Sequence, residues 1–418
     1  MLAYHSKVIE VMYLLMRRLL KLLRGKSKLS NTRFVTESLR KTMRHNSKAR
    51  ILILTAGFGS GHNKVAQALQ ASLLDEGAGH CELLDFFELA GPYAYRIAQF
   101  SNLFWVKWSP WLYGCFYWTM DHLHPDSWPQ RALDRFGSER ISAYIDTHSP
   151  DIVVCVYPTP ARVLARNKVS GRFKGSLAVT VTDYRVNAQW LHGGVDLYLV
   201  AHDNVKDNLV KWGIDRSCVK VTGIPIDGEF STTNSTTSQN SSTEPRIPLV
   251  VVMGSGYRKA TIVKLAQACV RTQKRMRLLV QCGQDVDFRS SIGGLSSTSV
   301  QVTAVGYIDN MCEVMSTADI LVTKAGGITV TEALSKRLPM IIHQPIPGQE
   351  RGNAEFLATA GAAIITRDVS GVTQAVGLLL SSSKRVVEMK TAAARLSQPL
   401  ASKIAAREIL SRIVEGTR

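Results

Sequence analysis

The sequence predicts an α/β protein built from two doubly wound, parallel-sheet domains that face a central cleft. Three observations carry that expectation. From Arg50 onward, short apolar runs closed by turns alternate with helix-patterned segments; a polar low-complexity stretch at 231–248 interrupts the pattern; and the pattern then restarts. Strands separated by helical segments imply a parallel sheet covered on both faces. With 418 residues the chain can give each of two domains its own core.

Taken in order, the first unit is a basic extension, residues 1–49. Thirteen Lys/Arg stand against two acids in residues 1–50, so +11 of the net +18 lies in the first eighth of the chain. Residues 7–24, KVIEVMYLLMRRLLKLLR, read as an amphipathic helix, with Lys7, Glu10, Arg17, Lys21 and Arg24 on one side of a broad apolar face. Such a helix suits an anionic membrane interface, with Arg17, Arg18, Lys21 and Arg24 as the contacts; the alternative is a helix folded onto its own domain. The run VMYLLM is too short for a span and lacks a signal-type cleavage site, and a basic, acid-poor stretch such as 26–50 also fits a transit segment. Nucleic acid is not an expected partner, because no helix-turn-helix, zinc-finger or aromatic RNA-binding pattern accompanies the charge. Seven cysteines without a Cys-x-x-Cys pair argue against a disulfide framework or a structural zinc site.

Residues 50–230 form the first α/β unit. RILILTA is a buried strand, GFGSGH a tight loop, NKVAQALQASLLDEG a helix, and CELLDF a second strand. DIVVCVYP, SLAVTVTD, VDLYLVAH and CVKVTGIPI follow as further strands. Between them, residues 93–118 hold eleven aromatics, and Trp105, Trp108 and Trp111 read as a lipid-interface patch. After the linker, residues 249–384 repeat the scheme in LVVVMGSGYRKA, RLLVQCG, VQVTAVGYI, ILVTKAGG, PMIIHQPIPG and AAIITR; residues 385–418 are C-terminal helices. Ligands of two such domains are expected at the carboxyl ends of the strands.

Four stretches carry chemistry. The loop GFGSGH has neither dinucleotide nor Walker spacing, yet it sets His62 at a helix N-terminus, where the dipole disfavours imidazolium and leaves a neutral ring able to take a proton. The alternative is a histidine that caps its own helix. VMGSGYRKA places Gly254, Ser255 and Gly256 between strand and helix, a turn whose amides favour phosphate oxygens. TKAGGITVTEA repeats that device at Gly326 and Gly327, with Thr329 in the first turn and Glu332 suited to two ribose hydroxyls, or else to capping its own helix. In HQPIPGQERGNAEF, Gln349, Glu350 and Asn353 offer donors and acceptors for several sugar hydroxyls, the alternative being a solvated polar loop. DVD at 285–287 imitates a metal-binding motif but has no second cluster of ligands, so no metal and no other cofactor is expected.

With these residues in view, the chain resembles the monogalactosyldiacylglycerol synthase and processive diacylglycerol glucosyltransferase family, and more distantly the GlcNAc transferase that forms lipid II. The resemblance spans roughly 50–380 and is strongest in TKAGGITVTEA…PIPGQERGNA, in VTDYRVNAQWLHGGVDLYLVAHDNVKDNLVKWGI…VTGIPI, and in the glycine–histidine loop. It implies a GT-B fold, inversion at the anomeric carbon and no metal. It implies further that Gly254 and Ser255 meet phosphate, the backbone at Tyr307 and Ile308 meets uracil, and Gly326, Gly327 and Thr329 hold the diphosphate. Glu332 then takes the ribose, and Gln349, Glu350 and Asn353 the hexose. Diacylglycerol is implied near His62, with Gly59, Gly61, Asp183, Trp190 and His192 on the acceptor side. One departure stands out: the family loop has three glycines before the histidine, whereas Ser60 interrupts them here. The expected activity is transfer of glucose or galactose from a UDP-sugar to 1,2-diacylglycerol by a peripheral protein on the cytoplasmic side of the membrane. The alternatives are a UDP-GlcNAc transferase acting on an undecaprenyl-linked muropeptide, and a non-catalytic UDP-sugar sensor. Neither the hexose nor an oligomeric state follows from these residues.

Overall fold

The structure, a computed structural model, describes residues 49–57, 60–91, 138–231 and 246–416. The expectations at Arg17, Arg18, Lys21, Arg24, Gly59, Trp105, Trp108 and Trp111, and most of the polar stretch at 231–248, lie outside those residues.

Among the described residues, twelve strands form two six-stranded sheets, and every pairing is parallel. The first lobe holds β1 (Arg50–Thr55), β2 (His80–Asp85), β3 (Ile152–Cys155), β4 (Ser176–Thr180), β5 (Leu197–Val200) and β6 (Val219–Val221) in the order β2-β1-β3-β4-β5-β6. The second holds β7 (Leu249–Val252), β8 (Met276–Gln281), β9 (Val300–Val305), β10 (Ile320–Thr323), β11 (Met340–His343) and β12 (Ala363–Thr366) in the order β12-β11-β10-β7-β8-β9. The order reverses between β1 and β3 in one sheet and between β7 and β10 in the other. Those two points are where a doubly wound sheet opens a crevice at its carboxyl edge.

Both faces of each sheet are covered, which is why the strands read as continuous apolar runs. One cluster of buried side chains is common to the two lobes: Ile51, Ile53 and Val154 from the first sheet join Val251, Leu321 and Ile342 from the second. The outer face of each lobe has its own cluster. Three of the helices that contribute to the shared core position the site. They are α1 (Ser60–Asp75), α9 (Gly327–Ser335) and the last helix, α13 (Ala401–Gly416).

Although α13 follows the second lobe in sequence, it crosses back to the first. Arg407 pairs with Glu76 through Nε at 2.8 Å and Nη2 at 3.0 Å, and Ser402 donates to the carbonyl of Ile226 at 2.5 Å. Ala405, Ala406 and Ile409 of α13 are fully buried in the shared core. The C-terminal helices are therefore not an appendage of the second lobe alone.

Candidate active site

At the crevice of the first sheet, α1 begins at Ser60 and carries His62 in its first turn. Imidazole Nδ1 lies 2.9 Å from the carbonyl oxygen of Val156, just past β3, and 3.4 Å from Thr182 Oγ1. A carbonyl only accepts, so Nδ1 holds the proton and the lone pair resides on Nε2. Tyr157 packs edge-on against the ring, with centroids 5.0 Å apart. Burial holds the pKa of His62 down to about 4, and the Val156 bond only partly offsets it. The ring stands in the first turn of α1, and burial favours its neutral form. Position 60 interrupts the glycines without displacing His62 from the start of α1. Asp85 serves this loop too: its Oδ2 accepts from Gly57 N–H and its Oδ1 from Phe87 N–H at 2.7 Å, so it braces the turn.

The second sheet supplies the complementary edge. Gly254 follows β7, and a Cβ there would stand 1.9 Å from the carbonyl of Gln281 at the end of β8. Close packing of neighbouring strand ends demands glycine at that position. Ser255, exposed, donates to Gln281 Oε1 at 2.8 Å. Lys324, between β10 and α9, donates to the Gly256 carbonyl at 2.7 Å and lies over the Tyr257 ring, so a cation spans the crevice of this lobe. Helix α9 starts at Gly326–Gly327 with no side-chain cap, leaving its first amides available to an anion. Thr329 is half-buried in its first turn. Helix α10 (Gln349–Thr359) begins at Gly348, whose φ of 100° only glycine adopts readily. Burial raises the pKa of Glu350, opposed by the amide of Ile346, which Oε2 accepts at 2.8 Å, and by Lys324. Tyr307 is 58% exposed at the far end of this edge, beside the half-buried Ile308.

The two edges meet through the segment after β4. A Cβ on Gly327 would lie 2.0 Å from the carbonyl of Thr182, so that carbonyl sits directly on the glycine turn. Gly327 is thus required by the approach of the other lobe, a reason the motif alone does not reveal. Asn353, fully buried, uses both amide hydrogens, on Asp183 Oδ1 at 2.9 Å and on the Ala325 carbonyl at 3.0 Å, and accepts from Tyr184 N–H at 2.8 Å. Tyr184 bonds Thr331 at 3.0 Å through its hydroxyl and stacks on Phe356. Burial raises Asp183 to about 6, with Asn353 lowering it and Glu350 raising it. Asn353 and Asp183, expected on hexose and acceptor respectively, are here partners of each other across the lobes. Glu332 is 4% exposed and forms a 3.7 Å ion pair with Lys64 of α1. The carboxylate expected for ribose therefore already faces a cation from the opposite lobe.

Three sequence expectations are corrected or refined. Trp190 is not an acceptor-side surface: its indole is fully buried in the outer core of the first lobe, where the chain turns after Asn187. His192 lies behind it, held neutral with a pKa near 3 by burial and by the charge of Arg162. Asp285 of the DVD stretch is the N-cap of the helix Val286–Gly293, accepting from Phe288 N–H at 2.9 Å and pairing with Lys259. Lys64, Thr182 and Lys324 were not singled out from sequence. Lys324 is the one with a legible signal, a lone cation inside the glycine motif.

Two parallel sheets whose crevices face each other, with a neutral histidine on one edge and uncapped amides and a lysine on the other, have the two-lobed GT-B fold. The Monogalactosyldiacylglycerol (MGDG) synthase family matches residues 62–226, and the Glycosyltransferase family 28 C-terminal domain matches residues 249–405. The processive diacylglycerol beta-glucosyltransferase of Bacillus pumilus is 30% identical over 350 residues, covering 82% of this chain and 90% of the relative. The Bacillus subtilis protein with that name is 29% identical with the same coverage. Among solved structures, MurG of Acinetobacter baumannii gives a TM-score of 0.57 at 18% identity over 87% of this chain and 99% of its own. A UDP-GlcNAc 2-epimerase of Neisseria meningitidis bound to UDP-GlcNAc gives 0.54 at 14% identity, over 86% and 99%. These two share the fold, and the presence of an epimerase among such structures shows that the fold does not choose the reaction. The chain belongs to the family of the MGDG synthases and processive diacylglycerol glucosyltransferases.

Proposed function

We propose that this protein transfers a hexose from a UDP-sugar to the free hydroxyl of 1,2-diacylglycerol at a membrane surface, and that the hexose is glucose. The observation that carries the reading is His62, whose Nδ1 is spent on Val156 and whose Nε2 keeps its lone pair, on the lobe edge that meets the uncapped start of α9. An alcohol is a poor nucleophile until it loses its proton, and a departing diphosphate must be stabilised. Nε2 takes the hydroxyl proton as the alcohol oxygen bonds to the anomeric carbon. The bond from that carbon to the diphosphate breaks on the opposite face, with inversion. Amides at Gly326–Gly327, the Gly254–Ser255 turn and Lys324 receive the negative charge. No divalent ion enters the scheme, and turnover is expected to survive EDTA.

Glucose is favoured because the relatives above are named glucosyltransferases. No described helix is long and apolar enough to cross a membrane, and the basic extension supports peripheral binding on the cytoplasmic side. The decisive experiment incubates purified protein with labelled UDP-glucose or UDP-galactose and diacylglycerol in mixed micelles, with mass spectrometry of the lipids. Glucosyldiacylglycerol is the expected product. Product from an undecaprenyl-linked muropeptide alone, or UDP-glucose binding with no lipid product, would replace the reading by a muropeptide transferase or a sensor. Vesicle flotation with and without residues 1–49 tests the anchor, and equal flotation would dismiss it.

A further inference from the structure

We propose that Lys64 is a positioning residue of the donor site: from the lobe that carries His62, it holds Glu332 of the other lobe in place for the sugar nucleotide. The proposal rests on the hexosyl-transfer reading above. Lys64 follows His62 by two residues on α1, and its Nζ lies 3.7 Å from Glu332 Oε1 on α9. The exposure of the pair is lopsided, 40% for the lysine side chain against 6% for the glutamate. A carboxylate that deep stays ionised only if a cation faces it.

Two charged groups act on Glu332: Lys64 from α1 and Asp227 from the segment after β6. The next lysine along α9's own chain direction, Lys336, is turned to the Glu229 carbonyl at 3.4 Å and lies over the Phe230 ring. Burial raises Glu332 to about 7; Lys64 lowers it and Asp227 raises it further. Near neutral pH the lysine therefore decides which form the carboxyl takes. The ionised form presents two equivalent oxygens that only accept, one for each of two neighbouring hydroxyls, whereas the protonated form turns one of them into a donor. Because the ammonium belongs to α1, the grip of one lobe on the nucleotide depends on the helix that holds the base in the other.

The test is steady-state kinetics from pH 5.5 to 9 with UDP-glucose and diacylglycerol micelles, comparing wild type with Lys64→Gln, Lys64→Arg, Glu332→Gln and the Lys64→Gln/Glu332→Gln double variant. Lys64→Gln is expected to raise the donor KM about ten-fold with kcat within about two-fold. Loss of the cation raises the carboxyl pKa, so the acid limb of kcat/KM should move upward by about one pH unit. Lys64→Arg should restore both. Glu332→Gln should abolish the acid limb, and Lys64→Gln should add nothing in that background. An unchanged donor KM and acid limb in Lys64→Gln would overturn the proposal, as would a full Lys64→Gln effect without Glu332. Calorimetry with UDP-glucose separates the two levels. Wild type that binds no UDP-sugar removes the functional reading and this proposal together, whereas equal binding by wild type and Lys64→Gln removes only the role of Lys64.

Discussion

His62 shows how a single side chain is prepared for proton transfer by what surrounds it. The Val156 carbonyl fixes the tautomer, Tyr157 walls one side, and burial keeps the ring neutral. Removing a positioned base typically costs about 10²–10⁴ in rate. His62→Ala should lower turnover of UDP-glucose into glycolipid by at least about 100-fold while leaving the far-ultraviolet dichroism and melting curve close to wild type; near-normal turnover would exclude His62 as the base. Trp190 is the contrasting case. Because the indole fills the outer core of the first lobe, Trp190→Ala should cost about 3–5 kcal/mol in urea unfolding, a stability defect and not a change in lipid preference.

At the level of elements, the segment after β4 is the contact that brings α9 and α10 against the first lobe. Its fit depends on Gly327, where a methyl group would collide with the Thr182 carbonyl, and on Asn353, which satisfies three partners at once. Gly327→Ala should drive the segment away from α9. Amide exchange at Tyr184, whose N–H is held by Asn353, reads this directly: protection should fall at least about ten-fold, since one lost buried hydrogen bond leaves its partners unpaired at a cost of about 1–3 kcal/mol. Unchanged protection would mean that the close approach is not maintained in solution. The glycine spacing of TKAGG was legible in sequence, but the collision that explains its second glycine was not. The atom responsible, the Thr182 carbonyl, is 145 residues away (327 minus 182).

Across the whole molecule, the two lobes share one core, and α13 fastens onto the first lobe through Arg407 and Glu76. Acid should loosen this assembly through its buried imidazoles. His192 has its pKa lowered from 6.5 to about 3. The unfolded state thus binds more protons in between, and the stability this group contributes is present above pH 6.5 and lost as pH falls towards 3. Going from pH 7 to pH 5, its share is about 2 kcal/mol. His192→Asn should therefore show a smaller drop in melting temperature over that interval than wild type, measured by calorimetry; parallel drops would place the acid sensitivity elsewhere. Asp183 and Glu332, both raised, work in the opposite sense, favouring the fold as they become protonated.

Twelve strands, two doubly wound halves and the positions of the glycine turns can be read from the residues alone, because a buried parallel strand must be apolar on both faces and a tight strand-to-helix turn must be small. The sequence also places His62 at a helix start and Gly326–Gly327 at another. Which groups meet depends on the folded arrangement: Lys64 with Glu332, Asp183 with Asn353, Trp190 with the core, and α13 with the first lobe. Local spacing reports the faces of a single element. It carries no record of the partner that desolvates a carboxylate or the backbone that stops against a glycine, since those depend on how two sheets far apart in the chain come together.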